Sequence, residues 1–266
     1  MFARAPLLLP FIGVASALFC KWPGETTRLS GSMTDDEYGH YLNYLKSLSE
    51  MPALAEAYCA SHPDHHFYDI FSLTYQCPLP VKRYPEGTAD GGKWTCNLEN
   101  MAPGSLVYSI GSEGDYAFET EMQNFGFEVH TFDCTGDYGS NAPQGVRFHK
   151  WCADGHDHAP FYKLKTLMDR LGHHRIDLLK MDIEGSEFAT LPMLAELPAH
   201  RRPKQIAVEI HAFGTGHRWA GKRSVPTLKK TLALMLQMHE LGYRLVTRED
   251  NYLAPCCSEF LYVLQK

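Results

Sequence analysis

The chain has 266 residues, of which 44% are hydrophobic and 21% are charged, and its formal net charge is −6. This composition is typical of a globular protein, and the length is sufficient for one large α/β domain with a buried core. A negative chain without a dominant basic face gives no reason to expect nucleic acid as a partner. The bulk properties therefore argue against a nucleic-acid-binding protein and leave the chemistry open.

The N-terminus has the pattern of a secretory signal peptide. Arg4 precedes an apolar stretch from Leu7 to Ala17, and Ala15–Ala17 forms an A-x-A-like cleavage site. A membrane-spanning helix needs about 20 apolar residues, whereas this run is shorter and contains Pro10. We predict that residues 1–17 are a cleaved signal peptide, with a short signal anchor as the alternative. The protein is then secreted or resides in the lumen of the secretory pathway, and a membrane is a partner only if the segment stays uncleaved.

The cysteine content agrees with export. An even number of cysteines in an exported chain suggests disulfides, although the sequence does not define their pairing. All of them follow the predicted cleavage point: Cys20, Cys59, Cys77, Cys96, Cys134, Cys152, Cys256 and Cys257. No two C-x-x-C motifs occur, so we do not expect a structural zinc site of that kind.

Residues 18–90 are predicted to be a helical and loop-rich N-terminal extension. Thr34 and Glu37 have the spacing of a capping box, and apolar residues at helical spacing follow them. From about Ser61 to Asn100 the sequence is rich in Pro, Gly, His and Cys and is predicted to be a loop. We expect a disulfide involving Cys77 or Cys96 to pin this loop.

From Ser105 onward, predicted strands alternate with predicted helices. The strands are SLVYSIG, FEVHTFD, GVRFHKW, IDLLKMD, QIAVEIH, YRLVTRE and SEFLYVLQ. The helices are DYAFETEMQNFG, APFYKLKTLMDRLG, EFATLPMLAEL and VPTLKKTLALMLQMHELG. This alternation predicts parallel βαβ units in a doubly wound α/β sheet, with the last two strands as an antiparallel hairpin at one edge. Residues 91–266 are predicted to form this single domain.

Glycines and an acid follow the first two predicted strands, where open α/β sheets bind ligands. Gly111 and Gly114 allow the backbone to approach a ligand, and Asp133 follows at about the 20-residue interval expected of a ribose-binding acid. The turn lacks the full G-x-G-x-x-G spacing, and Glu113 and Asp115 would repel a diphosphate. A cationic cofactor without phosphate, such as S-adenosylmethionine, therefore fits better than a nicotinamide dinucleotide. A structural turn with an N-capping acid is the alternative.

Acidic residues also close the fourth and fifth predicted strands, IDLLKMD and QIAVEIH. Asp182 and Glu184 share one face of a strand, as do Glu209 and His211, because each pair is two residues apart. Consecutive βαβ strands are usually neighbours, so we predict that these four side chains cluster. Close carboxylates repel one another unless a cation or a shared proton lies between them. Lys180 is a candidate counter-charge.

Three interpretations of this cluster stay open. In the first, Asp182, Glu184, Glu209 and His211 bind a divalent metal ion that positions a substrate hydroxyl. In the second, His211 or a carboxylate removes the hydroxyl proton as a general base. In the third, Asp182 meets the amino group of the cofactor's methionine and Glu184 caps the following helix.

The strings VYSIGSEGDYAFETEM, VHTFDCT, IDLLKMDIEGSEF and QIAVEIH, in this order, resemble the methyltransferase-like family related to FkbM-type methyltransferases. The resemblance covers about Gly91 to the C-terminus. It implies a class I, Rossmann-like fold with a mostly parallel seven-stranded sheet and S-adenosylmethionine as cofactor. It further implies that Ser109, Gly111 and Asp133 contact the cofactor and that Asp182 lies at the methyl-transfer pocket. The acceptor does not follow from the resemblance.

Three smaller features belong to the same region. Asp154 lies where adenine-contacting residues occur in such folds, with a plain turn as the alternative. Cys134 and Cys152 follow neighbouring predicted strands, which is compatible with a disulfide beside the adenine pocket and also with two free thiols. Other histidines are expected to be solvated loop residues, namely His65, His66, His156, His158, His173 and His174.

Together these features predict a secretory-pathway methyltransferase that uses S-adenosylmethionine to methylate an oxygen atom. His211 and Glu209 are the predicted bases, and Asp182 and Glu184 are supporting acids or metal ligands. The expected acceptor is a glycan, a peptide or a small molecule. A non-catalytic exported binding module on the same fold is the alternative from a different class.

Overall fold

The computed structural model describes residues 32–62, 66–87, 91–212, 224–251 and 254–265. The predicted signal peptide, Cys20 and His65 lie outside these ranges. Among the helices in the described part of the chain, none combines the length and the apolar character that crossing a bilayer requires.

Six α-helices and eleven β-strands are defined within the described ranges. The helices are α1 (Asp35–Glu50), α2 (Pro52–Ser61), α3 (Ala117–Asn124), α4 (Leu164–Leu171), α5 (Glu187–Thr190) and α6 (Val225–Glu240). The strands are β1 (Val81–Tyr84), β2 (Lys93–Cys96), β3 (Leu106–Ile110), β4 (Glu128–Phe132), β5 (Arg147–His149), β6 (Cys152–Ala153), β7 (Phe161–Tyr162), β8 (Leu178–Met181), β9 (Gln205–His211), β10 (Tyr243–Asp250) and β11 (Cys257–Leu264).

A seven-stranded sheet in the order β10-β11-β9-β8-β3-β4-β5 forms the centre of the fold. Strands β3, β4, β5, β8 and β9 pair in parallel, and β11 runs antiparallel to both β9 and β10. The predicted doubly wound sheet and the C-terminal hairpin are both confirmed. Because β11 inserts between β9 and β10, the edge strand is β10.

The two faces of the sheet bury different cores. One core contains apolar residues of α1, α2, α4 and α6, including Leu48, Leu167 and Leu232. The other core lies under α3 and the β1–β2 hairpin and includes Phe118 and Val107. Successive side chains of a strand point to opposite faces of the sheet. A residue's position in the strand therefore decides in which of the two cores its side chain lies.

Helix ends follow their local sequence signals. Thr34 and Glu37 form the predicted capping box at the start of α1, and Gly172 ends α4 in the left-handed conformation that glycine tolerates. The predicted helix EFATLPMLAEL is α-helical for only four residues and continues as a 3-10 helix from Leu191. Pro192 lacks an N–H and clashes with the preceding turn, which explains the early end of the α-helix.

The segment predicted to be a loop contains the β1–β2 hairpin. Its strands have four residues each and pair antiparallel, with Val81 opposite Cys96. The loop prediction was wrong here because strands this short, VKRY and KWTC, show no clear alternation of polar and apolar residues. The predicted disulfide is confirmed and joins Cys77 to Cys96. The predicted boundary between the N-terminal extension and the methyltransferase domain, at residues 90 and 91, falls between the two strands of this hairpin. That boundary stays a prediction.

Candidate active site

The carboxyl end of β8 lies against the turn after β3. Gly111 has a φ of +81°, and a Cβ atom at this position would lie 1.8 Å from the Asp182 carbonyl oxygen. The Asp182 N–H donates to the Ile110 carbonyl, and the Lys180 ammonium donates to the Gly111 carbonyl. Glycine is therefore required at this position by the packing of the two strand ends, before any ligand is considered.

Asp133, the predicted ribose acid, holds the glycine turn in place. Its Oδ2 accepts hydrogen bonds from the Ser112 and Glu113 amides at 3.1 and 2.9 Å, and its Oδ1 accepts from the Thr135 amide and hydroxyl. Burial alone would raise the pKa of Asp133, but these hydrogen bonds lower it overall. Four donors fill the acceptor positions of a carboxylate. A ribose diol would have to replace at least one of them.

The other predicted cofactor residues lie around this turn. Ser109 is fully buried and its hydroxyl donates to Glu119. Gly114 packs against the Tyr138 ring, which a Cβ atom would meet at 2.9 Å. Asp154 follows β6, and its carboxylate accepts from the Gly155 amide at 2.6 Å. The contacts of Ser109, Gly114 and Asp154 are all internal, and their cofactor roles stay predictions.

A buried lysine lies among three carboxylates, and we call Lys93, Asp182, Glu209 and Glu259 the Lys93 cluster. Glu209 on β9 pairs directly with Glu259 on β11, and Asp182 follows Met181, the last residue of β8, which pairs with Val208. Lys93, from β2, is fully buried. Its Nζ lies 3.0 Å from Asp182 Oδ2 and 3.6 Å from Glu209 Oε2, and it also donates to Glu259. Two of these residues, Lys93 and Glu259, were absent from the sequence prediction.

The charges in the Lys93 cluster set the protonation of its acids. Burial would raise the pKa of Asp182, but the charges of Lys93, Lys180 and His211 lower it well below its ordinary value. Burial and the charges of Glu259 and Asp182 raise the pKa of Glu209 to about 8. Asp182 is therefore charged at neutral pH, whereas Glu209 is mostly protonated at neutral pH and loses its proton as the pH rises through about 8.

His211 lies two residues beyond Glu209, at the carboxyl end of β9. Its Nδ1 is 3.2 Å from Glu187 Oε1, and its Nε2 is 3.8 Å from Glu184 Oε2 and 3.9 Å from Asp182 Oδ1. Burial would lower the pKa of His211, but the hydrogen bond to Glu187 and the surrounding negative charges raise it to about 10. The ring is protonated at neutral pH in this state. Of the two predicted bases, Glu209 is therefore the better suited to accept a proton.

Glu187 accepts the backbone hydrogen bonds of the turn after β8. The expectation that Glu184 caps the helix after this turn was wrong. Glu187 is fully buried and accepts from the Ile183 amide at 2.9 Å and from the Gly185 amide at 2.8 Å. Glu184 has a left-handed backbone with a φ of +56°, and 53% of its side chain is exposed. Glu187 thus fixes the turn and leaves the Glu184 carboxylate at the surface beside His211.

The four predicted metal ligands fall into three overlapping groups. Ligand atoms lie within 4.8 Å of one another in Asp182, Glu184 and His211, in Asp182, Glu209 and Glu259, and in Glu209, His211 and Cys257. The Lys93 ammonium already contacts all three acids of the second group. A lysine therefore supplies the positive charge that the sequence analysis assigned to a metal ion or a shared proton.

The sequence held different signals for the residues that the analysis missed. Glu259 is an acid inside an apolar strand, and such an acid is expected to be paired. Glu187 ends the string D-I-E-G-S-E, but its role depends on the left-handed turn before it. The sequence around Lys93 does not indicate a buried lysine, because this segment is predicted to be a loop.

A disulfide lies next to the predicted ribose acid. Cys134, which follows Asp133, is bonded to Cys152, and their Cα atoms are 5.2 Å apart. The disulfide alternative is thereby confirmed over two free thiols. It ties the end of β4 to β6, and so joins the segment carrying Asp133 to the one carrying Asp154.

One histidine prediction was wrong. His66, His156, His158 and His174 are exposed, but His173 is partly buried and its Nδ1 lies 2.6 Å from the Tyr108 hydroxyl. Gly172 ends α4 and turns the chain so that His173 faces β3 and β4, which solvated loop residues do not do.

The seven-stranded sheet has the arrangement of the class I, Rossmann-like methyltransferase fold. Among the described strands, β11 alone is reversed in the seven-stranded sheet, and it lies between β9 and β10. The edge offers a glycine turn and carboxylates, and Glu113 and Asp115 flank the turn. This donor set fits a cationic adenosyl cofactor without phosphate.

Comparison with known proteins identifies the family. A family of methyltransferase domains matches residues 37–264, and the chain belongs to this family. "Probable methyltransferase-like protein 24" of Homo sapiens is 28% identical over 151 residues, which cover 52% of this chain and 41% of that protein. The Rattus norvegicus protein of the same name is 29% identical over 152 residues, with the same coverage of 52% and 41%. The chain thus spans about two fifths of the length of these curated relatives.

Solved structures with a similar arrangement are distant in sequence. The fibrillarin pre-rRNA processing protein of Methanococcus jannaschii is 10% identical, covers 69% of this chain and 88% of its own, and gives a TM-score of 0.41. A methyltransferase of Agrobacterium tumefaciens, described as S-adenosylmethionine dependent, is 15% identical, covers 64% of this chain and 58% of its own, and gives a TM-score of 0.37.

Proposed function

We propose that this domain methylates a hydroxyl oxygen of an acceptor in the secretory pathway, using S-adenosylmethionine. The observation that carries the proposal is the Glu209 carboxyl, whose pKa is raised to about 8 inside the Lys93 cluster. A general base works best when its pKa lies near the operating pH. A hydroxyl needs such a base when it attacks a methyl group, because it must lose its proton.

The residues that would hold the cofactor surround the glycine turn. Gly111 and Gly114 give backbone access, Asp133 and Asp154 are the candidate ribose and adenine contacts, and Asp182 is the candidate partner of a positive group. When bound, S-adenosylmethionine supplies an electrophilic methyl group on a positively charged sulfur. Asp182 suits this position because Lys93 and Lys180 keep its carboxylate charged.

The Lys93 cluster would handle the proton of the acceptor. Glu209 removes it, and Glu259, directly opposite on β11, contacts the same ammonium. The negative charge of Glu259 strengthens the hold of Glu209 on a proton. His211 is charged and can donate a hydrogen bond that orients the acceptor oxygen. Alignment of the two reacting groups supplies much of the remaining rate enhancement.

A divalent metal ion is the alternative way to activate the hydroxyl. Asp182, Glu184 and His211 offer one ligand atom each within 4.8 Å of one another. An ion there would need His211 to lose its proton, since only a neutral imidazole binds metal. The Lys93 ammonium already supplies a positive charge to Asp182 at 3.0 Å, and we therefore favour the base without metal.

The cellular setting of the proposal follows from two observations. Two disulfides, Cys77–Cys96 and Cys134–Cys152, are typical of chains that mature in an oxidising compartment. The N-terminal residues have the pattern of a signal peptide. A glycan, a peptide or a small metabolite is the proposed acceptor.

The test is a methyl-transfer screen with methyl-labelled S-adenosylmethionine and the full chain, against glycans, peptides and small hydroxyl compounds. Label in a methyl ether product is the expected result, and Glu209→Gln should remove it. Glu196→Gln is the matched control, because Glu196 forms an exposed ion pair with Lys163. Transfer that a chelator abolishes would favour the metal alternative, and transfer unchanged in Glu209→Gln would contradict the assigned base.

The competing function is a binding module without catalysis. Cofactor binding by the folded chain, together with no transfer to any acceptor class, would favour that module. Transfer to one acceptor class that depends on Glu209 would exclude it.

A further inference from the structure

A second group of titratable side chains lies on the opposite face of the sheet. We call Glu128, His130, His149 and His173 the histidine cluster. His130 lies two residues before Phe132, which belongs to the core shared with α6, whereas Glu209 lies two residues after Ala207, which belongs to the core under α3. Alternation along the strands therefore separates the histidine cluster from the Lys93 cluster.

Three residues of this cluster converge in a way that suits a metal ion. Glu128, His130 and His173 each offer one ligand atom, and these atoms lie within 4.8 Å of one another. They come from two parts of the chain, β4 and the segment after α4, and only the fold brings them together. His130 is buried, while Glu128 and His173 are partly exposed, which leaves access from solvent.

Outer partners hold both imidazoles in place. The Nδ1 atom of His130 lies 2.9 Å from His149 Nε2, and the Nδ1 atom of His173 lies 2.6 Å from the Tyr108 hydroxyl. Nε2 is then the nitrogen left for a ligand in each ring, and His130 Nε2 lies 3.1 Å from Glu128 Oε1. Metal-binding histidines usually have their second nitrogen fixed in this manner.

A cationic group already occupies this position. The Arg147 guanidinium donates to Glu128 Oε1 and lies 3.1 Å from His130 Nε2. The Arg147 side chain is 60% exposed, so it can swing into solvent without leaving a buried charge behind. The position between Glu128 and His130 therefore attracts positive charge and can be vacated.

We propose that Glu128, His130 and His173 bind a divalent transition-metal ion, with zinc as the best match. Imidazole and carboxylate ligands suit zinc, whereas magnesium and calcium prefer oxygen ligands alone. Three protein ligands and one water complete a tetrahedral site, whose ligand atoms lie about 3.3–3.6 Å apart at bond lengths of about 2.0–2.2 Å. The partly exposed side chains of Glu128 and His173 can close the remaining distance. The ion would pin the segment after α4 to β4.

Thermal unfolding of the chelator-stripped full chain, with and without added Zn²⁺, tests this site independently of methyl transfer. A ligand that binds only the folded state raises the melting temperature, so Zn²⁺ should raise it for the wild type. His173→Gln and Glu128→Gln should each lose most of the rise, with at least a 10-fold weaker affinity in calorimetry. His174→Gln, the exposed neighbour, should keep the rise.

The variant Arg147→Gln distinguishes a metal site from a cluster that only stabilises the fold. Removal of the competing guanidinium should tighten Zn²⁺ binding and enlarge the rise in melting temperature. The proposal is overturned if Zn²⁺ does not stabilise the wild type, if His173→Gln and Glu128→Gln respond as the wild type does, or if Arg147→Gln binds Zn²⁺ more weakly.

Discussion

The Lys93 ammonium lies 3.0 Å from the Asp182 carboxylate, although the two residues are 89 positions apart in the chain. Lys93 comes from the short β1–β2 hairpin, and Asp182 directly follows the central strand β8. The contact joins the N-terminal part of the chain to the proposed methyl-transfer site. It also keeps Asp182 charged next to Glu209, which takes the proton of the acceptor in the proposed reaction.

Lys93→Met tests how much the fold depends on this ammonium. The variant leaves Asp182, Glu209 and Glu259 buried without their cation, and breaking a buried ion pair costs about 3–5 kcal/mol. Urea unfolding should show a loss of that order in the free energy of unfolding. Lys82→Met is the control, since Lys82 pairs with Glu99 at the surface, where an ion pair contributes little to stability. Equal losses in the two variants would contradict a special role for Lys93.

The rate of methyl transfer should depend on pH through Glu209. A base must be deprotonated to act, and the pKa of Glu209 is raised to about 8. The rate should therefore be low well below that pH, rise as pH increases through about 8, and then level off. Initial rates across this range for the wild type and Glu196→Gln should show the same rise. A rate that is constant across the range would contradict Glu209 as the base.

Asp133→Asn tests the acid that holds the glycine turn. Asparagine keeps one acceptor oxygen but removes the charge that the Ser112 and Glu113 amides and Thr135 contact. We expect a stability loss of about 1.5–3 kcal/mol, the usual contribution of a hydrogen bond to a charged group, and cofactor binding weakened at least 10-fold. Asp137→Asn is the control, because 92% of that side chain is exposed. Unchanged cofactor affinity in Asp133→Asn would remove Asp133 from the cofactor site.

The central sheet could be predicted from the sequence because its signals are local. The alternation of strands and helices, the glycine after β3 and the acids after β8 each lie within a few residues. The neighbouring positions of β8 and β9 followed from a general rule of βαβ connections. These signals placed Asp182, Glu209 and His211 at one edge before the structure was known.

The remaining parts of the site depend on contacts between distant segments. Lys93 finds its partners on β8, β9 and β11, and no local pattern marks a buried lysine in a short hairpin. His130 and His173 meet only because β4 and the end of α4 pack together. The role of Glu187 depends on the left-handed turn at Glu184, which side-chain periodicity does not reveal.

A buried histidine should make the fold sensitive to acid. His239 on α6 is buried beside the Tyr38 hydroxyl, and its pKa is lowered to about 4 by burial and by the charge of Arg244. An unfolded histidine takes up a proton near pH 6.5, so the unfolded state binds more protons between about pH 6.5 and 4. The contribution of His239 to stability is thus present above about pH 6.5 and is lost as pH falls toward 4.

Urea midpoints measured across this pH range check the histidine effect. The wild type and His200→Gln, which alters an exposed histidine, should lose stability more steeply than His239→Gln as the pH is lowered. Identical slopes in all three proteins would contradict the assignment to His239.

The most direct test of the central claim is calorimetric titration of S-adenosylmethionine into the full chain, with Asp182→Asn and Asp169→Asn in parallel. Asp169 pairs with Lys165 and Arg201 at the surface, away from the proposed site. We predict binding to the wild type and to Asp169→Asn, and binding weakened at least 10-fold in Asp182→Asn. A folded wild-type chain that does not bind the cofactor, or binding that Asp182→Asn leaves unchanged, would contradict a cofactor site at Asp182 held charged by Lys93.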